Sequence, residues 1–233
     1  MVSGTEAPVK PRVRRGKTAP DRRQSKPITS KNGQPLGNKG METRLGLMAA
    51  AGRLMERRSP LSITAAAVSK EAGTAAATFY VYFDDVEDIL WAMCDEIAQD
   101  TTDLFADDTL LRDERHLERD ALAFVKAYSE IWSRHGPLLL YRNLESDRGN
   151  VRFNQLVTRI ALPVLRALTD RIVAACPPDQ PMTRSEANAE AVVVVAALDR
   201  IAAALHMYPE DSLTPEVLQR AEARVLTRLL RAR

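Results

Sequence analysis

Four hydroxyl side chains, Thr74, Thr78, Tyr80 and Tyr82, fall within the stretch GTAAATFYVYF, residues 73–83. Hydroxyls at a protein surface can donate to phosphate oxygens. The same stretch holds four of the chain's twelve aromatic residues, so the cluster is not background. Phe79 and Phe83 lie four apart and share one helix face, which suits core anchors. Tyr80 and Tyr82 fall off that stripe. An apolar ring ending in a donor suits a rim, either one that packs or one that meets phosphate. Ala75, Ala76 and Ala77 precede them, and no Arg, Lys, Asn or Gln is present. A helix bearing alanines can approach the floor of a major groove and touch thymine methyl groups, but it has little to read base edges with.

A second set of aromatics, Phe124, Tyr128 and Trp132, repeats every four residues. With Tyr141 and Phe153 it can line an apolar cavity carrying two hydroxyls, or fill a core. Arg142, Asn143 and Glu145 read equally well as surface groups. No Gly-rich phosphate loop, nucleophile elbow, HExxH or Cys/His cluster occurs, so no enzyme, metal or cofactor is expected. His116, His135 and His206 are scattered, and Cys94 and Cys176 sit in apolar helical patterns far apart. These cysteines read as buried small hydrophobes, with a redox pair as the alternative.

Charge divides the 233-residue chain. Residues 1–40 carry a net +8 within a total of +2, which leaves the rest at −6. A basic front and an acidic back suggest a polyanionic partner at one end only. The longest apolar run, Ala191–Leu198, is far too short to span a bilayer. With no apolar leader at the N-terminus, a soluble cytoplasmic protein without a membrane partner is expected.

The elements that must position these groups are helices. Ala and Leu dominate, Gly is scarce, and β-alternation is nearly absent. Residues 1–40 read as a disordered basic arm, residues 41–84 as three short helices, and residues 85–233 as a larger helical domain. The first helix spans about Glu42–Arg57 and is stopped by Ser59-Pro60. The second covers Ala65–Ala72 with Thr64 as its cap. Gly73 makes the turn, and the third covers about Ala75–Phe83. Asp85 caps a helix to about Phe105. The next covers about Glu114–Arg134 and stops at Gly136-Pro137, with a short helix over Leu138–Leu144. Asn150 caps a helix through Ala175 that contains Pro163. Two final helices cover Arg184–Met207 and Pro215–Arg231.

The penultimate helix carries Ala187, Ala191, Val194, Leu198, Ile201 and Leu205 at steps of four and three. Val192, Val193 and Ala196 make its other sides apolar too. A helix apolar nearly all round needs cover on two sides, which predicts either a homodimer or a deep core position. Leu218, Val225 and Leu229 form the matching stripe of the last helix.

The three-helix pattern with its tight Gly turn is a helix-turn-helix. The residues TRLGLMAAAGRLM and SITAAAVSKEAGTAAATFYVYFDDVEDIL resemble the N-terminal domain of the tetracycline-repressor (TetR) family of transcriptional regulators. Arg44, Ala50, Ala51, Thr64, Ala72-Gly73, Thr78-Phe79-Tyr80 and Tyr82-Phe83 carry the resemblance over roughly residues 43–95. It implies an all-α fold with a DNA-binding head and a helical domain for effector binding and dimerisation. It also implies DNA contacts from Arg44, Thr64, Thr74, Ala76, Thr78, Tyr80 and Tyr82. A small apolar effector would sit among Phe124, Tyr128, Trp132, Tyr141 and Phe153, and its binding would release double-stranded operator DNA.

The chain departs from the family at Ala66, Ala75 and Ala76, where polar or basic residues are common. Val86 stands where a phosphate-contacting Lys is frequent, beside Asp84, Asp85, Glu87 and Asp88. Arg12, Arg14, Arg15, Arg22 and Arg23 of the arm are expected to supply the missing attraction to phosphate. The competing reading is a TetR-like dimer that binds DNA non-specifically or holds a protein partner.

Overall fold

A computed structural model describes residues 36–104, 111, 114–204 and 213–231, with the backbone alone given for 99–104. Within these the chain forms eight α-helices and no strand: α1 (Asn38–Met55), α2 (Ala65–Glu71), α3 (Ala76–Tyr82), α4 (Val86–Leu104), α5 (Leu117–Asp147), α6 (Val151–Ala175), α7 (Arg184–Ala204) and α8 (Pro215–Leu230). A short 3₁₀ turn, Pro60–Ser62, joins α1 to α2.

The punctuation is chemical. Thr64 Oγ1 accepts the Ala67 amide at 3.2 Å and starts α2. Asp85 Oδ1 accepts the Asp88 amide at 2.8 Å and starts α4, and Asn150 Oδ1 takes the Arg152 amide at 3.1 Å at α6. Thr183 and Glu186 form a reciprocal capping box at α7. After α2, Gly73 adopts φ +68°; its amide bonds Lys70 O at 3.2 Å, and the Thr74 amide bonds Ser69 O at 2.9 Å. That is the left-handed stop in which a side chain is strained. Gly149 (φ +86°) ends α5 by the same pair of bonds, which the sequence reading did not anticipate.

Two expectations need correction. α1 begins at Asn38, so residues 38–40, read as part of the arm, are helical. More consequentially, Gly136-Pro137 does not stop a helix: α5 runs unbroken for 31 residues with Pro137 inside it. Proline costs a helix interior about 3 kcal/mol through a lost amide and steric conflict. Part of the conflict is with the preceding side chain. Gly136 has none. Apolar burial continues on both sides of the proline, with Trp132 before it and Leu138 and Leu139 after.

The buried residues form two clusters. One joins Leu47, Leu54, Val68, Phe79 and Phe83 of the head to Ile89 and Leu90 of α4 and to Leu138, Tyr141, Phe153 and Leu156 of α5 and α6. The other gathers Phe124, Val164, Leu168, Ala187, Ala191, Leu198, Leu226 and Leu230 from α5–α8. The three-helix head therefore shares a continuous core with the long helices that follow.

Candidate functional site

The head holds α3 by Phe79 and Phe83, which are 0% and 1% exposed. Their rings lie 5.7 Å apart. Burying this pair leaves Ala76, Ala77, Tyr80 and Val81 outside. Tyr80 is 54% exposed, its ring edge-on to Phe79 at 5.4 Å. Thr64 is exposed at the start of α2. While its oxygen caps that helix, its own proton points to no described acceptor and can be donated outward. Thr74 donates to Ser69 O at 3.4 Å within the turn. Thr78 and Tyr82 are half-buried, Tyr82 packing on the head's core.

Arg44 does not belong to this surface. Its guanidinium lies over the Phe83 ring at 5.2 Å, sits 3.6 Å from Glu96 and donates to Met48 Sδ at 3.2 Å. The side chain is 14% exposed. It ties α1 to α4 and is withdrawn from any external phosphate. Arg53 and Arg57 are likewise engaged, both with Glu71, at 2.9 and 3.1 Å. The Arg53 hydrogen bond is the first cause that holds the Glu71 carboxyl below its ordinary range. Arg12, Arg14, Arg15, Arg22 and Arg23 lie outside the described residues, as does Leu205.

The acidic run after α3 is quieter than its sequence suggests. Arg152 pairs with Asp88 at 2.7 Å and stacks over Trp91 at 4.6 Å. Asn150 donates to Glu87 at 3.0 Å. Both partners stand over sixty residues downstream, so nothing local in the sequence signals the compensation.

Of the aromatic set, Tyr128 and Trp132 line a cavity of about 170 Å³ between α5, α6 and α7. Phe124 is buried in the cluster formed by α5–α8 and stacks on Tyr128 at 6.4 Å. Tyr141 and Phe153 meet edge to face at 5.6 Å in the core shared with the head, away from the cavity. Tyr141 comes nine residues after Trp132, so at 100° per residue it faces about 180° away. Burial pushes the Tyr141 hydroxyl up to about 12, with the Glu145 charge second.

Beside Tyr128, the polar wall of the cavity comes from Arg142, Asn143 and Asp199, which were assigned no site role from sequence. Tyr128 OH donates to Asp199 Oδ1 at 2.7 Å, and Asn143 Nδ2 donates to Asp199 Oδ2 at 2.9 Å. Arg142 donates from Nε and Nη2 to Asn143 Oδ1 at 3.0 and 2.8 Å. Arg142 and Glu145 are buried, not surface groups. Once α5 is continuous the wheel places Arg142 about 40° and Asn143 about 60° from Tyr128. Breaking the helix at Gly136 hid that alignment. Burial, then the Asp199 charge, holds the Tyr128 hydroxyl well above the usual phenol range.

Along α7, Ala187, Ala191 and Leu198 face their own subunit, with Leu198 only 5% exposed. Leu198 is thus a core residue. Val194, Ile201, Leu218 and Leu229 are half-buried. The outer face consists of Val192, Val193, Ala196 and Ala197 on α7 and Val217 and Val225 on α8, with Val193 68% and Val225 56% exposed. Cys94 is buried and Cys176 half-buried, both as free thiols. Burial pushes the Cys94 thiol up to about 12. Among the described residues no group of His, Cys, Asp and Glu is placed to hold a metal ion, and no helix is long and apolar enough to cross a membrane.

Residues 47–93 match the family model described as bacterial regulatory proteins, tetR family. The fold is similar to that of a tetR-family transcriptional regulator from Streptomyces coelicolor, with TM-score 0.61, 18% identity and coverage of 83% of this chain and 82% of that one. It is also similar to the fatty acid degradation regulator FadR from Bacillus halodurans (TM-score 0.59, 16% identity, coverage 84% and 95%). A third similar fold is the TetR family regulator PfmR from Thermus thermophilus (TM-score 0.56, 14% identity, coverage 78% and 97%). No curated protein matches the chain.

Proposed function

We propose that this chain is a TetR-family transcriptional regulator whose DNA-binding helix-turn-helix lies within the residues 47–93 that match the family model, and that it is a homodimeric repressor that a small effector releases from double-stranded operator DNA. The observation that carries the reading is the path of α5. One face of this helix lines the α5–α6–α7 cavity through Tyr128, Trp132 and Arg142. Another face packs into the head's core through Leu138 and Tyr141. An occupant that favours one arrangement of α5 acts on an element the head rests against, and only such differential contact shifts an equilibrium.

The dimer forms on the outer valines of α7 and α8 and sets two heads about one helical turn apart, roughly 34–36 Å. Tyr80 and the Thr64 hydroxyl hold phosphates, and Ala76 lies toward the groove floor. The cationic segment 1–40 supplies most of the attraction. If each copy neutralises about four phosphates, the dimer's affinity falls with salt at a logarithmic slope of about seven. Footprinting of the full chain on DNA upstream of its own coding sequence tests the reading. The expected result is a protected two-fold site of paired half-sites. No protection, with equal affinity for that DNA and a scrambled duplex at moderate salt, refutes it.

That second outcome is what the competing reading expects, and one observation favours it. Ala75, Ala76 and Ala77 are all exposed where side chains would read bases. Under that reading the dimer coats DNA without sequence preference.

A further inference from the structure

Building on the effector cavity proposed above, we infer that its ligand is an organic carboxylate about the size of one aromatic ring, held by Arg142. The side chain of Arg142 is 8% exposed. A buried guanidinium needs a counter-charge and acceptors for five N–H groups. Here its counter-charge is one ion pair, with Asp199, and its acceptors are few. Its two hydrogen bonds both go to Asn143 Oδ1, a neutral amide oxygen. Asp199, the nearest carboxylate in contact, stands 3.6 Å from Nη2, beyond normal hydrogen-bond length. Both Asp199 oxygens already accept, one from Tyr128 and one from Asn143. Glu145, on the same helix, accepts from Arg148. No described residue accepts from Arg142 Nη1.

The remaining edge of the guanidinium fits the two oxygens of a carboxylate, the strongest pairing open to it. The rest of the cavity is apolar, with Ile131, Leu139, Val157, Ile160, Val164 and Val195 around it. Its volume of about 170 Å³ sets the size. An engineered apolar cavity of about 150 Å³ takes benzene. A single ring or a short chain with one acidic head therefore fills this space, whereas a fused-ring or long-chain acid needs the helices to part.

Isothermal titration of the full-length protein with benzoate, against benzyl alcohol as the neutral molecule of similar size, tests the inference. Benzoate is expected to bind at least tenfold more tightly. Arg142→Met is expected to erase that preference while leaving benzyl alcohol within threefold. Asp199→Asn, which removes the competing anion, is expected to raise benzoate affinity at least threefold. If benzyl alcohol binds as well as benzoate to the wild type, the cavity reading stands and the carboxylate assignment falls. If neither binds at millimolar concentration, both fall. Should Arg142→Met fail to fold by circular dichroism, Asp199→Asn decides, and unchanged or weaker benzoate binding overturns the assignment.

Discussion

Replacing Arg44 by Met separates two roles that leave different signatures. A phosphate contact would contribute about 0.9 to the logarithmic salt slope, hence about 1.8 per dimer. A structural tie contributes nothing to that slope but stabilises the fold. The geometry gives the second. The guanidinium lies 5.2 Å from the Phe83 centroid on a side chain 14% exposed, a cation–π contact of about 1–2 kcal/mol. Its ion pair with Glu96 spans 3.6 Å to a side chain 53% exposed, so solvent reduces it to at most about 0.5 kcal/mol. Methionine keeps the apolar stem, so Arg44→Met is expected to cost about 1–2 kcal/mol in urea unfolding at fixed protomer concentration. The salt dependence of DNA affinity, measured by fluorescence anisotropy between about 50 and 200 mM salt, is expected to keep its slope within about 0.3. A slope shallower by about two units with unchanged stability would refute the assignment and return Arg44 to the DNA surface.

Three further outcomes are expected. Tyr80→Phe removes an exposed hydroxyl and is expected to weaken binding by about 0.5–1.5 kcal/mol equally on specific and scrambled duplexes, checked by anisotropy on both. Val193→Asp with Val225→Asp is expected to yield folded monomers in sedimentation velocity, whereas Leu198→Asp, at a site 5% exposed, is expected to unfold the subunit by circular dichroism. Glu222 has a buried, unpartnered Oε1, and burial raises its carboxyl from the ordinary 4.5 to about 7. The native state then holds a proton that the unfolded chain has released, so stability is expected to fall as pH rises from 4.5 through 7 and to level off above. The loss is on the order of 2–3 kcal/mol per subunit, and Glu222→Gln should flatten the urea midpoint across that range.

What could be read from sequence was mostly local. Thr64, Asp85 and Asn150 announced helix starts because a capping side chain acts two or three residues away. Gly73 announced the turn because only a residue without Cβ tolerates φ +68° cheaply. Phe79 and Phe83 announced the buried face of α3 by spacing. What was not legible depended on distance. Arg152 and Asn150 quieten Asp88 and Glu87 from over sixty residues away. Asp199 reaches Asn143 and Tyr128 from another helix. Arg44 fits a familiar pattern, yet the Phe83 ring beneath it, far along the chain, is not signalled by that pattern. On α7 the regular four-and-three stripe was visible, but periodicity does not say which of two apolar faces a subunit keeps. The smaller side chains Ala187 and Ala191 went inward, and Val192 and Val193 were left outside.

The one misread that mattered most, Gly136-Pro137, bears on how the cavity can act. Tyr128, Ile131 and Trp132 line the cavity before the proline; Leu139, Arg142 and Asn143 line it after. Pro137 has no amide to give the carbonyl four residues back, so the helix lacks one rung there. Gly136 beside it has no side chain to resist bending. The weakest point of α5 thus lies between the two groups of residues that an occupant would touch. Leu138 and Tyr141, on the far side of that point, are buried against the head. A rigid molecule held by Trp132 at one end and Arg142 at the other fixes the angle across the missing rung. A change in that angle shifts the second half of α5, and with it the surface on which the 3₁₀ turn rests. On the proposed reading, the proline that a helix should avoid therefore sits where an occupant of the cavity would act on the helix-turn-helix head.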